Sequence, residues 1–193
     1  ATIFISLALV VTIYPIGIFL LTGLNPFKFA KKIFKVGMFA AATQSSAATL
    51  PLNRKTCMEE LGCSKEISSF VLPMGMTINM NGTTAMHMVA ITFIATAAGI
   101  NITPTQLITA AFLSICVAVG TPAIPVAGTT LIFVIMSGLG LSSDLCMVAY
   151  ALVLAISYLP GMAVITLNVV GDAATTVIVS YKENELDKDV YNS

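Results

Sequence analysis

The sequence predicts an all-α membrane protein: an inverted repeat in which a re-entrant helical hairpin and a broken transmembrane helix occur twice. Three observations predict it. The first is composition: 57% of the 193 residues are hydrophobic, 9% are charged and mean hydropathy is +0.95. A soluble domain carries roughly 25% charged residues, so the solvent for most of this chain is lipid. The second is a shared frame, Asn-x-x-Gly, in the middle of two long apolar stretches, at Asn79-Met80-Asn81-Gly82-Thr83 and at Asn168-Val169-Val170-Gly171-Asp172. The third is what precedes each frame: a shorter apolar segment broken near its centre, by Ser45-Ser46-Ala47-Ala48-Thr49-Leu50-Pro51 and by Gly120-Thr121-Pro122-Ala123-Ile124-Pro125. Two such units in an apolar chain hold a solute between repeats at mid-membrane depth.

The elements follow in order. Residues 1–24 make a transmembrane helix, with Pro15-Ile16-Gly17 marking a kink and Asn25-Pro26 the end. Residues 25–35 form an amphipathic cytoplasmic linker, with Lys28, Lys31, Lys32 and Lys35 at helical spacing beside Phe27, Phe29, Ile33 and Phe34. Residues 36–65 form re-entrant hairpin 1: the run 36–50 is apolar but too short to cross, and the chain is polar again at Asn53-Arg54-Lys55. Its non-helical tip has to be buried in protein or line a wet cavity. Residues 66–100 form a broken transmembrane helix, interrupted at 79–83. Residues 104–141 form re-entrant hairpin 2, with its tip near 120–129. Residues 144–181 form the last transmembrane helix, interrupted near Pro160-Gly161 and again at 168–172. Residues 182–193 are a polar, mobile cytoplasmic tail. Tyr14, Tyr150 and Tyr181 lie near segment ends, as an interfacial belt requires.

Charge sets the orientation. No lysine or arginine lies between Lys65 and Lys182, and the basic residues cluster at 28–35, at 54–65 and in the tail. The positive-inside rule makes those three regions cytoplasmic, so hairpin 1 enters from inside, hairpin 2 from outside, and the C-terminus is cytoplasmic in a multi-pass cell-membrane protein. Zero net charge argues against a nucleic-acid partner. The four cysteines, Cys57, Cys63, Cys116 and Cys146, form no C-x-x-C pair and read as packing residues. The chain starts without methionine in an apolar run that lacks the flanks of a signal peptide, and reads as the C-terminal part of something longer.

Asp172 is the one acidic residue deep inside an apolar segment, where a carboxylate costs on the order of 2.5–3.5 kcal/mol. A cation has to offset that cost. With no lysine or arginine between Lys65 and Lys182, the residues point to a bound metal ion, sodium, taking oxygen ligands from a broken helix. The alternatives are a carboxylate facing a wet crevice or one paired with a helix outside the chain. Asn79 and Asn81 flank the expected unwinding, where Gly82 weakens a helix by ~1 kcal/mol. Their amides suit either freed backbone groups or an ion. His87, one turn beyond Thr83, reads as a packed polar residue in preference to a proton relay.

The residues also carry a resemblance. The serine-rich run 45–51, Asn79-Met80-Asn81-Gly82-Thr83, the run Gly120 to Gly128 and Asn168-Val169-Val170-Gly171-Asp172 resemble, in the right order, four motifs of the dicarboxylate/amino acid:cation symporter family, the glutamate-transporter-like sodium:dicarboxylate symporters. The resemblance covers essentially the whole chain. It implies a secondary active transporter, sodium-coupled, carrying a small carboxylate or amino-acid solute. It implies a homotrimer whose mobile transport domain moves like an elevator against a scaffold, supplied by an N-terminal part of the same protein. It places sodium against Gly75, Asn79, Asn168 and Asp172, with Asn81 where the family carries aspartate. It places solute near Ser45, Ser46 and Thr49 in hairpin 1, Thr121, Ala123, Val126 and Gly128 in hairpin 2, and Thr83 and Asn168 between them.

Departures from the family pattern shape the expectation. Asn81 removes a formal charge from a second cation site. Gly161 and Val164 stand where acidic-amino-acid members carry aspartate and arginine, and Gln44 stands where some members carry arginine. A guanidinium is the usual bidentate partner of a carboxylate, so acidic amino acids are expected to be disfavoured solutes. Two rivals remain. An intramembrane hydrolase using Ser45 or Ser46 with His87 lacks a nucleophile elbow and a base constellation, so the chain is expected not to be an enzyme. A truncated or degenerate non-transporting homologue is the alternative function.

Overall fold

The computed structural model describes residues 2–122 and 127–193. The apolar run at the start winds into α1 (Thr2–Thr22), with Pro15 accommodated inside it. At 1.5 Å per residue it is about the 30 Å of a bilayer core. Gly23, at φ +71°, turns the chain, and the Asn25 side chain accepts the Phe27 N–H at 2.9 Å to start α2 (Pro26–Thr43). The basic stretch 25–35 and the apolar stretch after it are therefore one helix, not a linker followed by a hairpin arm: no proline or cap interrupts them. α2 stops at Gln44, which takes the left-handed conformation, and Ser45 caps α3 (Ser46–Glu59) by accepting the Ala48 N–H at 3.2 Å. The break between α2 and α3 is thus Gln44-Ser45 alone. The small residues after it are helical, and Pro51 sits inside α3, giving up one bond of the ladder.

α4 (Lys65–Ile78) and α5 (Asn81–Ala97) are one apolar stretch unwound at Asn79 and Met80. α6 (Pro104–Val119) opens on a capping box between Thr103 and Gln106. α7 (Ala127–Thr130) and α8 (Ile132–Gly138) return the chain, and α9 (Asp144–Ile156) leads into α10 (Tyr158–Lys182). The interruptions expected in the last helix reduce to one turn at Ser157, so Pro160 falls in the first turn of α10, where proline breaks no bond. Residues 168–172 are continuous helix: Gly171 weakens them by ~1 kcal/mol, but α10 packs against α1, α2, α3, α4 and α5 and is held straight through. The two Asn-x-x-Gly frames are therefore unlike, one unwound and one wound.

The tail is tied down where mobility was expected. Leu186 pairs with Cys63 in an isolated antiparallel bridge, and the Asp187 N–H donates to Gly62 O at 2.8 Å. Asp187 caps α11 (Lys188–Asn192). The Lys32 ammonium donates to Glu60 O at 2.8 Å, Val190 O at 2.8 Å and Tyr191 O at 2.9 Å. Tyr191 is fully buried and its hydroxyl donates to Asn25 O at 3.0 Å.

One cluster, with Ile18, Phe29, Leu72 and Val177, surrounds α10; a second, with Ile91, Ile94, Ile132 and Ile135, joins α5, α6, α8 and α9. The outer surface is apolar: Leu20, Phe27, Phe34, Ile108 and Leu159 are exposed. α1 and α10 are long and apolar enough to cross a membrane. Every regular element among the described residues is helical. An apolar exterior around a polar centre is the pattern of an all-α membrane protein.

Candidate ion and solute site

Asn168 and Asp172 stand one turn apart on the buried face of α10, opposite the unwound point between α4 and α5. Unwinding leaves the first amides of α5 without intrahelical partners, and Met80, at the cap position, offers no side-chain acceptor. Asn168 supplies it from the neighbouring helix: its Oδ1 accepts the Gly82 N–H at 2.8 Å. Its Nδ2 donates to Thr83 Oγ1 at 3.1 Å and lies 3.4 Å from Met80 Sδ. A β-carbon at Gly82 would stand 2.7 Å from Val164 O and 3.1 Å from Asn168 Oδ1, so this approach requires glycine.

Asp172 is 3% exposed. The Asn79 amide donates to its Oδ1 at 2.9 Å and to Asn168 O at 3.2 Å. Gly75 lies flat against the carboxylate, since a β-carbon there would be 2.5 Å from Oδ1. Among the described residues the salt bridges are Lys35–Glu60 and Lys55–Glu59, and neither involves Asp172. Asn81 joins from the side, donating to Asn79 Oδ1 at 2.7 Å and to Tyr14 Oη at 3.1 Å. The five expected ion residues are thus brought together. Their donors are all oxygens, and no group of three His, Cys, Asp or Glu occurs among the described residues. That chemistry fits a hard cation, not a transition metal.

Tyr14 is the member that sequence reasoning missed. Its place in the sequence suggests an interfacial belt, but its hydroxyl is inside the cluster, 2.6 Å from where a β-carbon on Gly171 would sit. The signal was its depth: it lies eight residues before the end of α1, more than two turns from the interface.

The expected solute residues divide. Ser46, Thr83, Thr121 and Gly128 border one cavity of about 40 Å³, together with Gln44 and Gly161. Ser45 instead caps α3, and buried Thr49 turns back to donate to Ser45 O at 2.8 Å. Asn168 lies beneath the cavity, reaching it through Thr83. Ala123 and Val126 lie outside the described residues. A cavity of this size holds about one water. A larger cavity of 560 Å³, bordered by Met86, Phe93, Val153 and Ile156, is apolar and away from the carboxylate. His87 is fully buried, and its Nε2–H donates to Gly128 O at 2.8 Å. Gln44 fills the space beside Gly161, its Nε2 donating to Tyr158 O at 3.1 Å.

The comparisons agree with this architecture. Residues 1–182 match the family model described as Sodium:dicarboxylate symporter family. The chain is 36% identical over 174 residues to human excitatory amino acid transporter 2, covering 90% of this chain and 30% of that protein. It is 31% identical over 174 residues to the Caenorhabditis elegans excitatory amino acid transporter, covering 90% and 34%. It is 30% identical over 177 residues to mouse excitatory amino acid transporter 3, covering 91% and 33%. The chain therefore spans about a third of the length of these relatives.

These findings overturn the expectation that acidic amino acids are disfavoured, because the relatives are named for excitatory amino acids and the family for dicarboxylates. A carboxylate does not require a guanidinium. Helix N-termini and hydroxyls also hold anions, and the N-terminus of α3, with Ser46 and Thr83, borders this cavity. They also favour a transporter over a non-transporting homologue. The chain belongs to the sodium:dicarboxylate symporter family.

Proposed function

We propose that this chain forms the ion- and solute-binding part of a sodium-coupled symporter for an excitatory amino acid or another dicarboxylate. The observation that carries the proposal is the burial of Asp172 at 3% exposure, against an unwound helix and without a basic partner among the described residues. Sodium would lie between the Asp172 carboxylate, the side-chain oxygens of Asn79 and Asn168 and the backbone by Gly75, with Asn81 behind Asn79. Solute carboxylates would meet Ser46, Thr83, Thr121 and the amides of the α3 N-terminus.

Asn168 and Thr83 link the two ligands. Asn168 holds the first turn of α5 and bonds Thr83, which borders the solute cavity. An ion that orders Asn168 therefore orders the solute side as well, which is a coupling free energy between sites. The cavity is far below the 300 Å³ or so of a small-molecule site, so the helices that border it have to move apart to admit solute. The pairs α2–α3 and α6–α8 would be re-entrant hairpins entering from opposite faces, with the basic regions and the tail cytoplasmic. A scaffold from the rest of the protein and a homotrimeric assembly belong to the same proposal. Uptake of radiolabelled dicarboxylates by liposomes containing the protein that carries this chain tests it. Uptake driven by an inward sodium gradient and lost with Ser46→Ala plus Thr83→Ala supports the proposal; uptake indifferent to sodium contradicts it.

A further inference from the structure

Asn79 presents its amine, not its oxygen, to Asp172. The NH2 of a carboxamide has no free lone pair to ligate a cation, so sodium binding requires the Asn79 amide to turn over. Before that turn, Asn79 Nδ2 is satisfied by Asp172 Oδ1 and Asn168 O, whatever Asn81 does. After it, the amide NH2 faces Asn81, and Asn81 must present its own oxygen there or leave a part-buried donor without a partner in the protein, at a cost. Asn81 is exposed and borders an outer cavity of 570 Å³, into which its side chain is free to swing. The group that holds it in place is the Tyr14 hydroxyl, at 3.1 Å. A hydroxyl both accepts and donates. It accepts from Asn81 Nδ2 in the arrangement observed, and donates to Asn81 Oδ1 once both amides have reversed. Gly171 makes the convergence possible, because a β-carbon there would lie 2.5 Å from Asn79 Nδ2 and 2.6 Å from Tyr14 Oη.

We infer that Tyr14 is a positioning residue of the ion site: acting through Asn81, its hydroxyl supports the reversed, cation-binding orientation of the Asn79 amide. Loss of the hydroxyl penalises the sodium-loaded arrangement and leaves the sodium-free one nearly intact. The inference rests on the sodium reading of Asp172 given above.

The test is the sodium concentration giving half-maximal thermal stabilisation of the full chain in detergent, with choline chloride holding ionic strength constant. Wild type, Tyr14→Phe, Asn81→Ala, the double variant and Asp172→Asn are compared. Tyr14→Phe raises that concentration about three- to tenfold, the effect of one hydrogen bond, with little change in sodium-free melting. The double variant matches Asn81→Ala alone, the non-additivity of groups acting in series. If Tyr14→Phe responds to sodium like wild type, or if its shift adds in full to that of Asn81→Ala, the inference is overturned while the sodium site stands. If Tyr14→Phe does not fold, Asn81→Ala reads the same relay: an unchanged sodium response there overturns the inference. A wild-type protein without sodium stabilisation overturns both readings.

Discussion

The Asn168 side-chain oxygen lies 2.8 Å from the Gly82 N–H and caps α5 from a different helix. An N-cap ordinarily comes from the residue just before the helix. Placing it on α10 makes the unwound point depend on tertiary packing, so the break forms only where α10 is docked.

Asn168→Ala removes that cap and strands the Gly82 amide in a dry interior. The expected cost is about 1–3 kcal/mol of stability, read as a lower melting temperature. Sodium stabilisation and solute uptake are expected to fall together, because Asn168 touches both sides of the site.

Gly75→Ala separates fold from ion binding. Alanine favours helix over glycine by ~1 kcal/mol, and α4 is helical there. The added methyl would sit 2.5 Å from Asp172 Oδ1. Sodium-free melting is expected to hold within about 1 kcal/mol, while the response to sodium disappears.

Gly128→Ala acts on the other ligand. Its β-carbon would lie 2.9 Å from the Thr83 methyl group, pushing α7 off α5. Half-saturation of uptake by solute is expected to rise while sodium stabilisation is kept. Equal loss of both would contradict the division of the site into ion and solute halves.

The tail clamp has a pH signature. Burial pushes the Tyr191 phenol up to about 12, against about 10 for a free tyrosine. The folded state thus favours the protonated hydroxyl, so the clamp is fully present below about pH 10 and is lost as pH rises through about 12. Amide exchange in residues 183–193 is expected to accelerate over that window. At neutral pH, Lys32→Ala is expected to speed it about tenfold, the factor carried by one charge-assisted bond of about 1.5 kcal/mol.

The polar centre was legible in the sequence because placing Asp172, Asn79 and Asn81 inside apolar segments is costly and therefore informative. Helix breaks were legible only in part. Asn79-Met80 unwinds, yet 168–172, with the same frame, stays wound, because five packed neighbours outweigh one glycine. Tyr14 looked like an interfacial residue since a lone tyrosine in an apolar run does not announce its partner 67 residues away. The tail looked mobile from its polarity, but Asp187 as a cap and Leu186 and Tyr191 as anchors hold it. The solute preference expected from Gly161, Val164 and Gln44 conflicts with the names of the family and of the relatives, because three side-chain positions leave out the backbone amides and hydroxyls that can also hold an anion.

The central claim is that a monovalent ion neutralises Asp172. Equilibrium binding of radioactive sodium to the purified chain, with Asp172→Asn in parallel, tests it most directly. The account predicts saturable binding to the wild type that is abolished in the variant although the variant still folds. Equal sodium binding by the two proteins would contradict it.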